Sequence, residues 1–265
     1  MLKPLAAALM LGATALPALA FDPAAMSDAE RAAFGQAVRD YLMENPEVLV
    51  EAITVLEQRR MAEEADNDLA LVAANHEAIF ADGHSWVGGN PEGSLTLVEF
   101  VDYRCGVCRN VYEQVEGIVA GDGDIRFILK EFPILGQESD MAARFAVAVQ
   151  QIAGDDIYKQ AHDELMVMRQ RVNAESLGAL ADKLGVDKEA VFNRMNTEEV
   201  TAVLRANHQL AERMGVMGTP TFVIGDEMLR GVPREGLEAV IADIRAGKAA
   251  PEGEGAESVP AQPKG

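Results

Sequence analysis

Cys105 and Cys108 are the only two cysteines in the 265-residue chain. They sit three positions apart in Cys-Gly-Val-Cys, so a bond between them closes too small a loop to constrain the unfolded chain, and a disulfide-stapled scaffold is excluded. The pair is suited to chemistry instead. It follows Leu95 to Val101, a run rich in β-branched and aromatic residues that reads as a buried strand, and helix signals begin at the pair itself. A helix start presents unpaired N–H groups and about half a positive charge, and both stabilise a thiolate on the first cysteine. Cys108, nearly one turn on, is within reach of a mixed disulfide formed at Cys105. The expected chemistry is two-step exchange, in which Cys105 meets the partner protein and Cys108 resolves.

Metal binding is the competing use of two thiols. Structural zinc wants four ligands, and none of His76, His84, His162 and His208 is paired with another at a ligand spacing. Two thiolates alone suit Cu(I), which stands as the alternative. A second informative stretch is Gly218-Thr219-Pro220-Thr221-Phe222. Proline cannot donate to a strand ladder. If its peptide bond is cis, the backbone of Thr219 is left free to pair with an extended substrate beside Cys105; a trans proline opening an edge strand is the other reading. Glu99, inside the apolar strand, is either a buried acid or a residue facing solvent.

The elements that position these residues follow from the pattern. Leu95 to Val101, a helix from Cys105 towards Val119, and Asp124 to Phe132 form a βαβ unit. About 80 residues of helix signals come next, then a strand at Thr221 to Ile224, a turn at Gly225-Asp226 into a hairpin partner, and a last helix from about Arg234 to Ala246. Gly83 to Gly93 reads as a loop. Upstream, Ser27-Asp28-Ala29-Glu30 is a capping box. Pro46 opens a helix with a narrow stripe of Leu49, Ile53 and Leu56 that fades into charge from Glu57 to Asp68. Run through to Phe80, that helix would be about 50 Å long. It reads as a stalk carrying an oligomer seam, or as a helix pair lying on the main domain.

The first 20 residues combine Lys3, an apolar run from Leu5 to Leu16 and Ala18-Leu19-Ala20, the pattern of a cleavable export signal too short to span a membrane. Residues 249–265 hold three prolines and three glycines and read as a disordered tail. A net charge of −20 repels phosphate backbones, so nucleic acid is excluded as a partner.

The C-x-x-C after a strand, together with Gly-Thr-Pro-Thr-Phe before a hairpin and final helix, resembles the thioredoxin fold. The helical insertion resembles the DsbA-type branch of exported thiol–disulfide oxidoreductases. The expected fold is α/β: a thioredoxin-like fold over residues 84–248 with a helical insertion at about 134–215, preceded by an N-terminal helical stalk over 21–80. The resemblance implies a cis Pro220, with Thr219 and Pro220 binding substrate, Cys105 as the attacking and Cys108 as the buried cysteine. It further implies Glu99 as the buried acid under the site, exchanging a proton with Cys108 through water, and Lys130 as a nearby lysine. No cofactor is implied. Tyr41 to Leu49 resembles the oligomerisation stalk of ScsC-like members, a group in which trimers and copper tolerance occur.

The implied function is a periplasmic enzyme that forms or isomerises disulfides in cysteine-containing exported proteins, recharged by a membrane redox partner. A stalked chaperone without chemistry is a third reading. One departure bears on potential: Gly106-Val107 stands where strongly oxidising members carry Pro-His. Without that polar residue the disulfide is expected nearer about −180 mV than about −120 mV.

Overall fold

The structure is a computed structural model that describes residues 26–247. The expected signal peptide and tail lie outside the described residues. Two compact units divide the chain, one up to Leu56 and one from Glu57.

In the first unit, α1 (Asp28–Glu44) begins at the capping box: Ser27 N–H donates to Glu30 Oε2 at 2.8 Å, and Glu30 N–H donates to Ser27 Oγ at 3.4 Å. Asn45 ends it by donating its side-chain amide to the Tyr41 carbonyl at 2.9 Å. α2 (Glu47–Ala74) follows Pro46, whose fixed φ suits a helix start, and the unit boundary falls within it. No residue of α1 is buried. Phe34, Val38, Tyr41, Leu49, Ile53 and Leu56 are exposed, a concentration of large apolar side chains of the kind that marks an interaction site.

The second unit is built on a five-stranded sheet of order β1-β3-β2-β4-β5, comprising β1 (Trp86–Gly89), β2 (Leu95–Val101), β3 (Ile125–Glu131), β4 (Thr221–Ile224) and β5 (Glu227–Arg230). β2 and β3 are parallel and joined by α4 (Gly106–Asp122); every other pair is antiparallel. After α3 (His76–Phe80) and this βαβ core, the insertion holds α5 (Gln137–Ala153), α6 (Asp155–Val167), α7 (Ala174–Leu184), α8 (Lys188–Met195) and α9 (Glu198–Arg213). α10 (Leu237–Arg245) is the last described helix. The period-two alternation of a strand sorts the core into two layers. Leu97 and Val101 of β2 and Phe127 and Leu129 of β3 pack with the cysteines and the inserted helices. Val98, Phe100 and Ile128 pack on the other face with Val72, Ile79 and Met214.

Two sequence expectations are corrected. The loop expected over Gly83 to Gly93 contains β1, which pairs Trp86 with Leu129 and Gly89 with Arg126. Its glycines serve packing: a Cβ on Gly88 would lie 1.9 Å from the Trp86 ring, and Gly89 has φ +66°. The single long helix to Phe80 breaks at Asn75. Asp68 and Val72 near the end of α2, with Ile79 in α3, are buried in the second unit. Asp68 takes a two-pronged bond from Arg230, with Nη2 donating to Oδ1 at 2.8 Å. Residues 68–80 are therefore part of the sheet's packing, and Ile79→Ala is expected to cost about 2–5 kcal/mol in a urea unfolding titration.

Candidate active site

Cys105 is the N-cap of α4. Its backbone is extended (φ −71°, ψ 119°), and its sulfur accepts the Cys108 N–H at 3.5 Å. Both cysteines are free thiols. The Cys105 thiol donates to the Thr219 carbonyl at 3.1 Å, immediately before a cis Thr219–Pro220 bond. Cys108 is wholly buried beneath it. The turn that delivers Cys105 is held by Asp102. One carboxylate oxygen accepts from Arg104 N–H at 2.7 Å, the other from Ile134 and Leu135 N–H at 2.8 and 3.0 Å, and the Asp102 carbonyl accepts from Cys105 N–H at 3.0 Å.

Glu99 is buried on the same sheet face as the cysteines, opposite Phe222 of β4 and Leu129 of β3. Burial pushes its carboxyl up to about 8, with the Glu116 carboxylate and Cys105 adding to the rise. Burial, and then the charge of Glu99, push the Cys108 thiol well up in turn. The structure thus brings Cys105, Cys108, Glu99, Thr219 and Pro220 to one place.

It does not bring Lys130 there. Lys130 is one residue past Leu129, the partner of Glu99, so its side chain leaves the opposite face of β3. There it is fully buried, donating to the Ala78 carbonyl at 2.8 Å and forming an ion pair with Asp82. Burial raises the Asp82 carboxyl, but the Lys130 ammonium and the Ser85 donors outweigh it and hold the group at about 2. The lysine implied beside Glu99 is therefore a fastener between β3 and the segment around α3.

A group that sequence reasoning missed surrounds Glu131, the next residue. Its Oε1 accepts from Tyr103 at 2.6 Å and from Tyr158 at 2.7 Å, while Oε2 is buried without a partner. Burial pushes this carboxyl up to about 8 despite the phenol bonds. Tyr103 Oη also lies 3.2 Å from Nδ1 of His162, whose imidazole burial drives down to about 3. The available signal was a Lys-Glu pair inside a strand buried on both faces. Among the described residues, the one group with ligand atoms close enough to gather a cation is Glu116, His162 and Asp163. Lys159 already sits against it, 3.0 Å from Glu116 and 2.6 Å from Asp163, and neither cysteine belongs to it.

The DSBA-like thioredoxin domain family matches residues 96–239, which include Glu99, Asp102, Cys105, Cys108, Thr219 and Pro220. The chain belongs to that family. It is a family of thiol–disulfide oxidoreductases, and the thioredoxin-like α/β fold agrees with it. The N-terminal domain of the copper resistance protein ScsC matches residues 30–63. A thioredoxin-like oxidoreductase from Silicibacter pomeroyi is 36% identical, with a TM-score of 0.60, covering 66% of this chain and 99% of that one. A linker-deletion mutant of Proteus mirabilis ScsC is 27% identical, with a TM-score of 0.61, covering 85% of this chain and all of that one. A probable disulfide bond formation protein D of Bacillus anthracis is 23% identical over 158 residues, 53% of this chain and 69% of that protein.

Two predictions follow from the two sheet faces. Lys130→Met leaves Asp82 without its cation and is expected to cost about 3–5 kcal/mol of stability. The thiol–disulfide equilibrium with glutathione should stay within about twofold of the parent's. The second concerns pH. Glu99 and Glu131 have folded-state values of about 8 against 4.5 for the free side chain. Between those values the folded protein holds more protons than the unfolded chain, so their stabilisation is complete below about pH 4.5 and is lost as pH rises to about 8. Unfolding free energies from urea titrations should fall over that range, and Glu131→Gln should shrink the fall by at least about 1 kcal/mol.

Proposed function

We propose that the protein is exported to the periplasm and exchanges disulfides in other exported proteins, with isomerisation as its main task. The observation that carries this is the Cys105 sulfur at a helix N-cap, 3.1 Å from the Thr219 carbonyl, with Cys108 buried behind it. In the isomerase direction the Cys105 thiolate attacks a client disulfide. A mixed disulfide forms and a client thiolate leaves. That thiolate, or another in the client, then attacks the client sulfur of the mixed disulfide, so a new pairing forms and Cys105 is released with no net oxidation. If the client stalls, Cys108 gives its proton to Glu99 through water, attacks Cys105 and frees the client as a dithiol. The enzyme disulfide then needs a membrane reductant. In the oxidase direction the same bonds form and break in reverse, and the membrane partner is an oxidant.

The exposed apolar residues of α1 and early α2 support self-association through the first unit, with a trimer as the expected state. Several sites facing one client would favour isomerisation. Thr219 and Pro220 are the substrate-binding residues of this reading, presenting a backbone edge to an extended peptide. The copper-resistance name of the family matching residues 30–63 favours a second reading, a Cu(I) carrier using the same two thiolates; titration of the reduced protein with Cu(I) against a chelator discriminates.

The test of the main reading is a scrambled-disulfide substrate, assayed with the mature protein and with a chain lacking residues 21–56. Recovery of substrate activity with the mature protein, and its loss in the shortened chain, is the expected result. If both chains oxidise a reduced substrate and neither unscrambles, the protein is an oxidase.

A further inference from the structure

We propose that an arginine-lined rim beside Cys105 selects client segments carrying carboxylates next to the cysteine to be exchanged. This rests on the thiol-exchange reading above and names its substrate class.

The chain carries a net charge of −20, yet three arginines gather beside the first turn of α4, which carries the cysteine pair. Arg104 precedes Cys105 and Arg109 follows Cys108. Arg109 Nη2 donates to the Met168 carbonyl at 2.6 Å, which draws the end of α6 and the adjoining Arg169 against the first turn of α4. The three charges are close enough that, after burial, Arg104 and Arg169 both disfavour the charged form of Arg109.

Two nearby acids, Glu138 and Asp102, are already engaged. Glu138 is shared between Arg104 at 3.4 Å and Arg171 at 2.9 Å and also accepts the Val172 N–H. The Asp102 oxygens are taken by three backbone N–H groups. Among the described residues neither Arg109 nor Arg169 forms an ion pair, and Arg104 Nη1 is buried without a partner. The N-terminus of α4 adds its own positive end at the same spot. Val107 between the cysteines is 48% exposed, and Met217, two residues before Thr219, is 91% exposed. An incoming peptide thus meets exposed apolar residues flanking Cys105 and Thr219 in the chain, and positive charge beside the first turn of α4. An acidic segment fits that surface, while a basic one is repelled by unneutralised guanidinium groups. Charge complementarity of this kind acts mainly on the association rate.

The test uses the full-length mature protein, reduced, with three peptides of equal length. Each carries one cysteine in a mixed disulfide with a chromophoric thiol, flanked by Glu, Ser or Lys. The Cys105 thiolate attacks the peptide sulfur and the chromophore leaves as a thiolate. Cys108 then attacks Cys105 and releases the peptide thiol, so one enzyme dithiol is oxidised per mixed disulfide reduced. Each rate is divided by that of the same peptide with a small neutral thiol, which removes the effect of flanking charge on the sulfur itself. At low salt the normalised rate for the Glu peptide should exceed that for the Lys peptide by about tenfold. The ratio should approach one in about 1 M salt. Arg169→Glu, at an exposed position without an ion pair, should cut the ratio several-fold. Exchange of all three peptides at one normalised rate overturns the proposal alone, as does a ratio that neither salt nor Arg169→Glu moves. If no peptide exchanges, the Ser one included, the thiol-exchange reading fails and takes this proposal with it.

Discussion

The exchange chemistry depends on where α4 starts, and that point is held by one buried carboxylate. Asp102 collects three backbone N–H groups from two loops, Arg104 on its own and Ile134 and Leu135 on the loop after β3. Loop N–H groups so close to the core have few other acceptors, and leaving one unpaired costs about 1–3 kcal/mol. The turn is therefore determined on both sides. Its carbonyl then receives the Cys105 N–H, and the next residues wind into helix with Cys105 as cap. The sulfur ends up at the positive end of a helix, facing Thr219.

Around that point the sheet separates two kinds of buried charge. Lys130 and Glu131 are neighbours in one strand, so they leave opposite faces. Lys130 finds a carboxylate, Asp82, which stays charged at about 2. Glu131 finds two phenols and, among the described residues, no cation, so burial favours its protonated form. One face thus holds a charged fastener for the α3 segment. The other holds two acids raised to about 8, Glu99 and Glu131, on the layer that carries the thiols. An acid with a value of about 8 can take up a proton when ionised and return it when neutral within the pH range where thiol exchange works, whereas a salt-bridged one stays ionised there.

Much of this could be read from the residues in order. The spacing of Cys105 and Cys108, the apolar strand before them, the Gly-Thr-Pro-Thr-Phe stretch, the capping box at Ser27 and the narrow stripe of Leu49, Ile53 and Leu56 are local signals, each set by neighbours within a turn or a strand. The family match over residues 96–239 agrees with the fold they imply. β1 was hidden because its glycines look like loop residues; what makes them strand is the Trp86 ring folded over Gly88 and a partner strand about 40 residues away. The break at Asn75 was hidden because nothing in a polar helix announces that Val72 and Ile79 will meet Phe100 and Ile128.

By itself the sequence determined which atoms can react and the order of the elements that carry them, because sulfur chemistry and periodicity are properties of residues and short spans. Only the tertiary structure decided which charged groups face the sulfur. Register between β2 and β3 pairs Glu99 with Leu129 and turns Lys130 away, and a shift of one residue would reverse that choice. The Glu131–Tyr103–Tyr158–His162 group and the gathering of Arg104, Arg109 and Arg169 likewise join residues up to 65 positions apart. Such contacts arise from packing between elements, which no local pattern encodes.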